Sequence, residues 1–117
     1  MNPQQVPSVT VADLADPLPE SAVLLDVREP DEWAAGHAPN AVHIPMGEIA
    51  ARLTELPPNS PLYVVCRSGG RSARVTAYLN ANGWDALNVD GGMKSWEQQR
   101  RPLVGDGPDG GAAPTVI

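Results

Sequence analysis

Cys66 is the only cysteine in the chain, and it opens the run Cys66-Arg67-Ser68-Gly69-Gly70-Arg71-Ser72. An apolar stretch, Leu62-Tyr63-Val64-Val65, precedes the run, and a segment with helical spacing follows it. Adjacent glycines let a loop turn its backbone N–H groups toward a common centre, and a helix starting there adds its positive end. Such a place holds anions. Together with Arg67 or Arg71 it favours the thiolate of Cys66 over the thiol, and the thiolate is the nucleophile. A persulfide, Cys–S–S⁻, needs the same surroundings for its outer sulfur. One geometry therefore serves both halves of a sulfur shuttle, taking sulfur from a donor and handing it to an acceptor. The plain alternative for a lone cysteine is a small buried hydrophobe. The arginine beside Cys66 and the glycines behind it argue for the nucleophile.

The elements that must position this loop alternate along the chain. Val9 begins a short strand, and Thr10 with Asp13 resembles the start of a short helix through Val11 and Leu14, ended by Pro17 and Pro19. Ala22-Val23-Leu24-Leu25 and Leu62-Tyr63-Val64-Val65 are continuous apolar runs, as in strands covered on both faces of a parallel sheet. Ala41–Ile44 and Ala86–Val89 are two further strands. Pro30, Asp31 and Glu32 mark a helix start, and Gly36 its end. Met46, Ile49, Ala50, Leu53 and Leu56 form one stripe of a helix, with Glu48 and Arg52 paired on its outer side. A helix over 72–82 turns Val75, Tyr78 and Leu79 inward and stops at Gly83. The last helix runs from Met93 to Gln99 after a Gly91-Gly92 turn. This order predicts an α/β domain.

With 117 residues and 42% apolar content, the chain can bury a core as one domain without disulfides or a structural metal. Phe is absent, so Trp33, Trp84 and Trp96 are the large fillers, with Trp33 and Trp96 expected to find an N–H partner. One cysteine forms no intramolecular disulfide, and with only His37 and His43 as other typical ligands it builds no multi-thiolate zinc site. No cofactor is called for. A lone thiol points to a reducing compartment, and the N-terminus lacks the pattern of a secretory signal, so a cytoplasmic location is expected. No apolar stretch is long enough to span a membrane. The net charge of −6 argues against nucleic acid as a partner. Against that acidic background, the stretch from Leu56 to Trp84 has no Asp or Glu but holds Arg67, Arg71 and Arg74, with Cys66 in its middle.

The chain resembles a single-domain member of the rhodanese family. The resemblance rests on ordered blocks: Leu25-Asp26-Val27-Arg28-Glu29, Glu32-Trp33, Gly36-His37-Ala38-Pro39-Asn40-Ala41, His43-Ile44-Pro45, the Cys66–Ser72 loop, and Gly91-Gly92-Met93-Lys94-Ser95-Trp96. It covers about residues 18–100. It implies a single rhodanese-like domain, with a central, mainly parallel five-stranded sheet flanked by helices on both faces and a persulfide on Cys66. Ala38 and Asn40 depart from the family's usual apolar β-branched residue and Gly, in what reads as a surface turn. Residues 1–7 are expected to be a loose lead-in, 8–104 the domain, and 105–117, GDGPDGGAAPTVI, a flexible Gly/Pro-rich end with no core to join.

The resemblance implies sulfurtransferase activity through Cys66, with Arg67, Ser68, Gly69, Gly70, Arg71 and Ser72 as the binding loop. Arg67 is expected to select anionic donors, and Arg71 to hold the loop by bonding its carbonyls. Asp26 and Arg28 are either groups that orient the loop or a structural ion pair of Arg28 with Glu29 or Glu32. His37 and His43 read as turn or core histidines. The expected partners are a small sulfur donor, such as thiosulfate or a persulfide, and a thiol or cyanide acceptor, or a protein playing either part. Donor, acceptor and oligomeric state stay open at this level. Two rival functions stand beside this one. A cysteine-dependent phosphatase or arsenate reductase has five residues between Cys and Arg, where four separate Cys66 from Arg71. A rhodanese-like binding or regulatory module usually lacks the cysteine.

Overall fold

The strand that delivers Cys66 is apolar at all four positions because both of its faces are covered. It is β4, Leu62–Val65, in a computed structural model that describes residues 6–105 and 113–117. The other strands are β1 (Ser8–Thr10), β2 (Val23–Asp26), β3 (Val42–His43) and β5 (Ala86–Asp90). They form one five-stranded sheet of order β1-β5-β4-β2-β3, and every pairing is parallel. The helices are α1 (Pro30–Ala35), α2 (Gly70–Ala81) and α3 (Gly92–Gln98). No helix among the described residues is long and apolar enough to cross a membrane.

Alternation along the strands divides the core in two. Leu25, Leu62, Val64 and Cys66 face one layer, packed with Ile44, Ile49, Val75 and Leu79. Leu24, Val65 and Val89 face the other, with Val11, Met93 and Trp96. Cys66 thus continues the parity of Leu62 and Val64, so the strand itself sets the direction of its thiol. Each layer is closed by elements on its own side, which is the two-sided α/β arrangement the sequence predicts.

Several local expectations change. The stripe from Met46 to Leu56 is real, with Ile49 and Leu56 buried, but it is not one α-helix. It is two 3₁₀ segments, Met46–Glu48 and Ala50–Glu55, with Arg52 off helical geometry at φ −120° and ψ 20°. Arg52 bonds Glu48 at 2.9 Å and Glu55 at 2.7 Å, so both carboxylates hold it at the break. Tyr78 points outward, 40% exposed, rather than into the core. The α2 helix starts at Gly70, two residues earlier than the sequence suggests. Ala38 is buried in the second core layer, not on a surface turn. Asn40 sits at φ 66°, which explains why the family favours Gly there and why Asn substitutes for it.

The expected loose lead-in falls in part on residues 1–5, outside the described residues, while Val6 and Pro7 differ from that expectation and are tied into the body. Val6 is buried, and the Pro7 carbonyl accepts from Asn88 N at 2.8 Å. The expected flexible end falls in part on residues 106–112, outside the described residues. Residues 113–117 differ from the expectation: Val116 is buried in the second core layer. Thr115 N donates to the Ala35 carbonyl at 3.0 Å, and Val116 N to Glu97 Oε2 at 3.1 Å. A single buried valine and two backbone N–H bonds tie down a segment whose composition is rich in Gly and Pro.

This segment crosses Gly36 so closely that a Cβ there would lie 2.4 Å from the Thr115 carbonyl oxygen. Gly36 is extended, at φ 176°, so contact and not backbone strain demands the glycine. Gly36→Ala should therefore cost about 1–3 kcal/mol of stability, the usual penalty of overpacking. Denaturant unfolding should show that penalty in the full chain and lose most of it once residues 113–117 are removed.

Candidate functional site

The loop after β4 is fixed from outside before it can do anything inside. Met93 N donates to the Cys66 carbonyl at 2.7 Å, and Lys94 N to the Arg67 carbonyl at 2.9 Å. Both donors belong to the first turn of α3, whose N–H groups have no partner within the helix. The approach depends on Gly92. A Cβ there would lie 2.4 Å from the Cys66 oxygen and 2.7 Å from the Arg67 carbonyl carbon and oxygen. Gly92 also takes φ 57°, and Gly91 φ 79°. Gly91-Gly92 is thus the clamp of the site, a role beyond the tight turn that the sequence suggests.

With its carbonyls held outward, the loop turns N–H groups toward the sulfur. Gly69, at φ 117°, donates its N–H to Cys66 Sγ at 3.1 Å. The Ser72 hydroxyl lies 3.3 Å from the same sulfur. Cys66 itself is 1% exposed. Burial pushes its thiol up, the largest single influence. The Ser72 hydroxyl and the N–H groups of Ser72, Gly69 and Ser68 together outweigh burial and bring the thiol below its ordinary value.

The loop arginines divide. Arg71 is engaged by Glu32 of α1 through two bonds, Nη1–Oε1 at 2.6 Å and Nη2–Oε2 at 2.8 Å. It does not bond the loop carbonyls, which α3 already serves. The pair holds the Glu32 carboxyl down at about 2 and raises Arg71, with the Cys66 charge adding to the latter. A guanidinium fork committed to a carboxylate is not offered to an oxyanion in the loop, which counts against the phosphatase rival. Arg67 is exposed, and its Nε donates to the Ile117 carbonyl at 3.0 Å. Ser68 and Gly70 are exposed at the loop rim.

Asp26 and Arg28 are an ion pair, but not with the partners the sequence suggests. Arg28 bonds Asp26, with Nη2–Oδ2 at 2.7 Å, and both side chains are fully buried. Arg28 also donates to the carbonyls of Glu32 at 3.3 Å and Gly36 at 2.8 Å. The pair therefore anchors α1, and α1 carries the glutamate that holds Arg71. His37 bonds the Trp33 carbonyl at 2.8 Å and His43 the Arg28 carbonyl at 2.8 Å. Both imidazoles stack on Trp33, with ring centroids 3.6 and 4.6 Å away. Trp96 is a core filler whose Nε1 donates to Pro102. Trp84 packs on the core, and its buried Nε1 has no hydrogen-bond partner among the described residues.

Two residues of the site escape the sequence reading. Gly92 is one. The other is Asn88 of β5, 4% exposed, whose Oδ1 accepts from the Ser72 hydroxyl at 2.6 Å. A buried asparagine inside a strand is uncommon, and that was the available signal.

Residues 10–99 match the Rhodanese-like domain family, and the chain belongs to it. It is 43% identical over 83 residues to YtwF of Bacillus subtilis, provisionally named a sulfurtransferase, across 71% of this chain and 81% of that one. It is 38% identical over 86 residues to a protein of Allochromatium vinosum named sulfurtransferase, across 73% of this chain and 80% of that one. A crystal structure of a rhodanese-related protein from Thermoplasma volcanium shares the fold with a TM-score of 0.78 at 33% identity, across 84% of this chain and 97% of that one.

The loop geometry predicts an alkylation rate of Cys66 whose pH midpoint lies below the free-cysteine value of about 8.5. Gly92→Ala should raise that midpoint toward the free value, because displacing the clamp turns the loop N–H groups off the sulfur. A stopped-flow iodoacetamide titration reads both.

Proposed function

We propose that the chain is a sulfurtransferase that moves sulfane sulfur from an anionic donor, thiosulfate or a persulfide, to a thiophilic acceptor through a persulfide on Cys66. The observation that carries this reading is the pair of donors at Sγ, Gly69 N at 3.1 Å and Ser72 Oγ at 3.3 Å, around a buried thiol brought below its ordinary pKa. The names of the relatives support the class of activity.

In the first step the Cys66 thiolate attacks the outer sulfur of thiosulfate. The new Cys–S–S⁻ bond forms as the donor's S–S bond breaks, and sulfite leaves with the electron pair. In the second step a thiol or cyanide attacks that outer sulfur, and the Cys66 thiolate leaves with its pair restored. No oxidant or cofactor is needed. The loop N–H groups stabilise the anion in both resting forms. Arg67 is the exposed cation beside the nucleophile and meets the donor's sulfonate charge, after exchanging its bond to the Ile117 carbonyl. Arg71 acts through Glu32 to keep the start of α2 in place. A thiolate of this kind works in a reducing compartment, which fits the cytoplasm.

Thiosulfate alone should add the mass of one sulfur atom to the protein, and cyanide should remove it. Steady-state kinetics should be ping-pong, and Cys66→Ser should fold but neither gain sulfur nor turn over. Substantial activity in that variant, or no sulfur on the wild-type protein with any donor tried, would leave the binding-module reading in its place.

The two arginines should separate kinetically. Arg67→Ala should raise KM for thiosulfate roughly tenfold with less effect on kcat, the pattern of lost ground-state binding. Arg71→Lys should lower kcat more than it raises KM, since an ammonium cannot replace the fork bound to Glu32.

A further inference from the structure

The Ser72 hydroxyl has one proton and three acceptors within reach. Asn88 Oδ1 lies at 2.6 Å, the Gly69 carbonyl at 3.2 Å and Cys66 Sγ at 3.3 Å. A hydroxyl donates to one of them at a time, and the shortest contact is the one to Asn88. Ser72 is fully buried and Asn88 nearly so, so bulk water does not level the competition. The asparagine is also held in place. Its backbone N donates to the Pro7 carbonyl at 2.8 Å, and its Nδ2 reaches Asp90 Oδ1 at 3.4 Å. That second contact points the amide nitrogen toward Asp90 and leaves the oxygen facing Ser72.

We propose that Asn88 is a positioning residue for Cys66: its amide oxygen competes with Sγ for the Ser72 proton and so weakens the hydrogen bond that the hydroxyl gives the sulfur anion. This role bears on sulfur transfer only through the function proposed above, in which Cys66 attacks a donor. A thiolate loses intrinsic nucleophilicity as it is stabilised. A site that gave Sγ every available donor would hold a thiolate that forms readily and attacks slowly. Asn88 keeps that one donor shared. When the outer sulfur of a persulfide carries the charge, Asn88 still competes for the same hydroxyl, and most of the support falls to the backbone N–H groups.

The test replaces Asn88 and reads Cys66. The charged groups in and against the loop are Arg67 and Arg71, Glu32 paired with Arg71, Lys94 at the start of α3, and Asp90 at the end of β5; all are left unchanged. Asn88→Leu removes the nearest competing acceptor and leaves only the Gly69 carbonyl, which already accepts from Ala73 N at 3.1 Å, so the pH midpoint of Cys66 alkylation should fall by up to about one unit, the size of one hydrogen bond to a charged group. Asn88→Ala, which adds no bulk to the buried position, should shift it the same way. Asn88→Asp offers a stronger acceptor and a negative charge, so the midpoint should rise. In a Ser72→Ala background the shift from Asn88→Leu should vanish, because the hydroxyl that transmits it is gone. The proposal is overturned if Leu and Ala leave the midpoint unchanged or raise it, or if their shift persists without the Ser72 hydroxyl. Alkylation needs no sulfur donor. Failure of sulfur loading on the wild-type protein would therefore count against the proposed function and leave this result standing on its own.

Discussion

Everything at this site depends on two backbone hydrogen bonds, from Met93 N and Lys94 N to the carbonyls of Cys66 and Arg67. A short loop cannot aim both its N–H and its C=O groups at the same point. By taking the carbonyls outward, α3 leaves the N–H groups free to face the sulfur. The approach that makes this possible is a contact only glycine survives, since any Cβ at position 92 would overlap the loop backbone. The anion site is therefore built by two helices in concert: α2 begins at the loop, and α3 pulls the loop into shape.

The chemistry then turns on a balance of opposed effects on one atom. Cys66 lies in line with Leu62 and Val64, in the same core layer, and burial there disfavours a charge. Fixed donors reverse the outcome: the loop N–H groups and the Ser72 hydroxyl. Cation placement supports it at longer range. Arg71 is held by Glu32, Glu32 rides on α1, and α1 is anchored through its carbonyls by Arg28, whose own charge is matched by Asp26. A fully buried pair of this sort is costly unless its remaining donors are satisfied, and here the carbonyls of Glu32 and Gly36 satisfy them. Ion pair, helix and loop form one mechanical series from the sheet to the site.

Much of this was legible in the sequence, and the reason is local. The strands around Cys66 are continuous apolar runs, and the glycines after it are adjacent in the chain, so neighbouring residues carry both signals. What was not legible depends on contacts between distant segments. Glu32 and Arg71 are far apart in sequence, and nothing in either segment names the other as partner. Gly92 reads as a turn until Cys66 is placed against it. Asn88 looks like one polar residue in a strand until Ser72 faces it from α2. The break at Arg52 has a different, local origin: an apolar stripe at helical spacing satisfies the core equally well as two 3₁₀ pieces, with Glu48 and Glu55 holding Arg52 between them. Val116 shows the limit of composition, since one apolar residue in a Gly/Pro-rich end was enough to find the core.

The central claim is that the loop N–H groups converge on the sulfur and hold its anion. An ¹H–¹⁵N NMR titration of the wild-type protein tests it at the atoms concerned. The amides of Ser68, Gly69 and Ser72 should shift together, with one midpoint below the free-cysteine value of about 8.5, as Cys66 loses its proton. Amides that stay still through the titration of the thiol, or a midpoint at or above that value, would contradict the account.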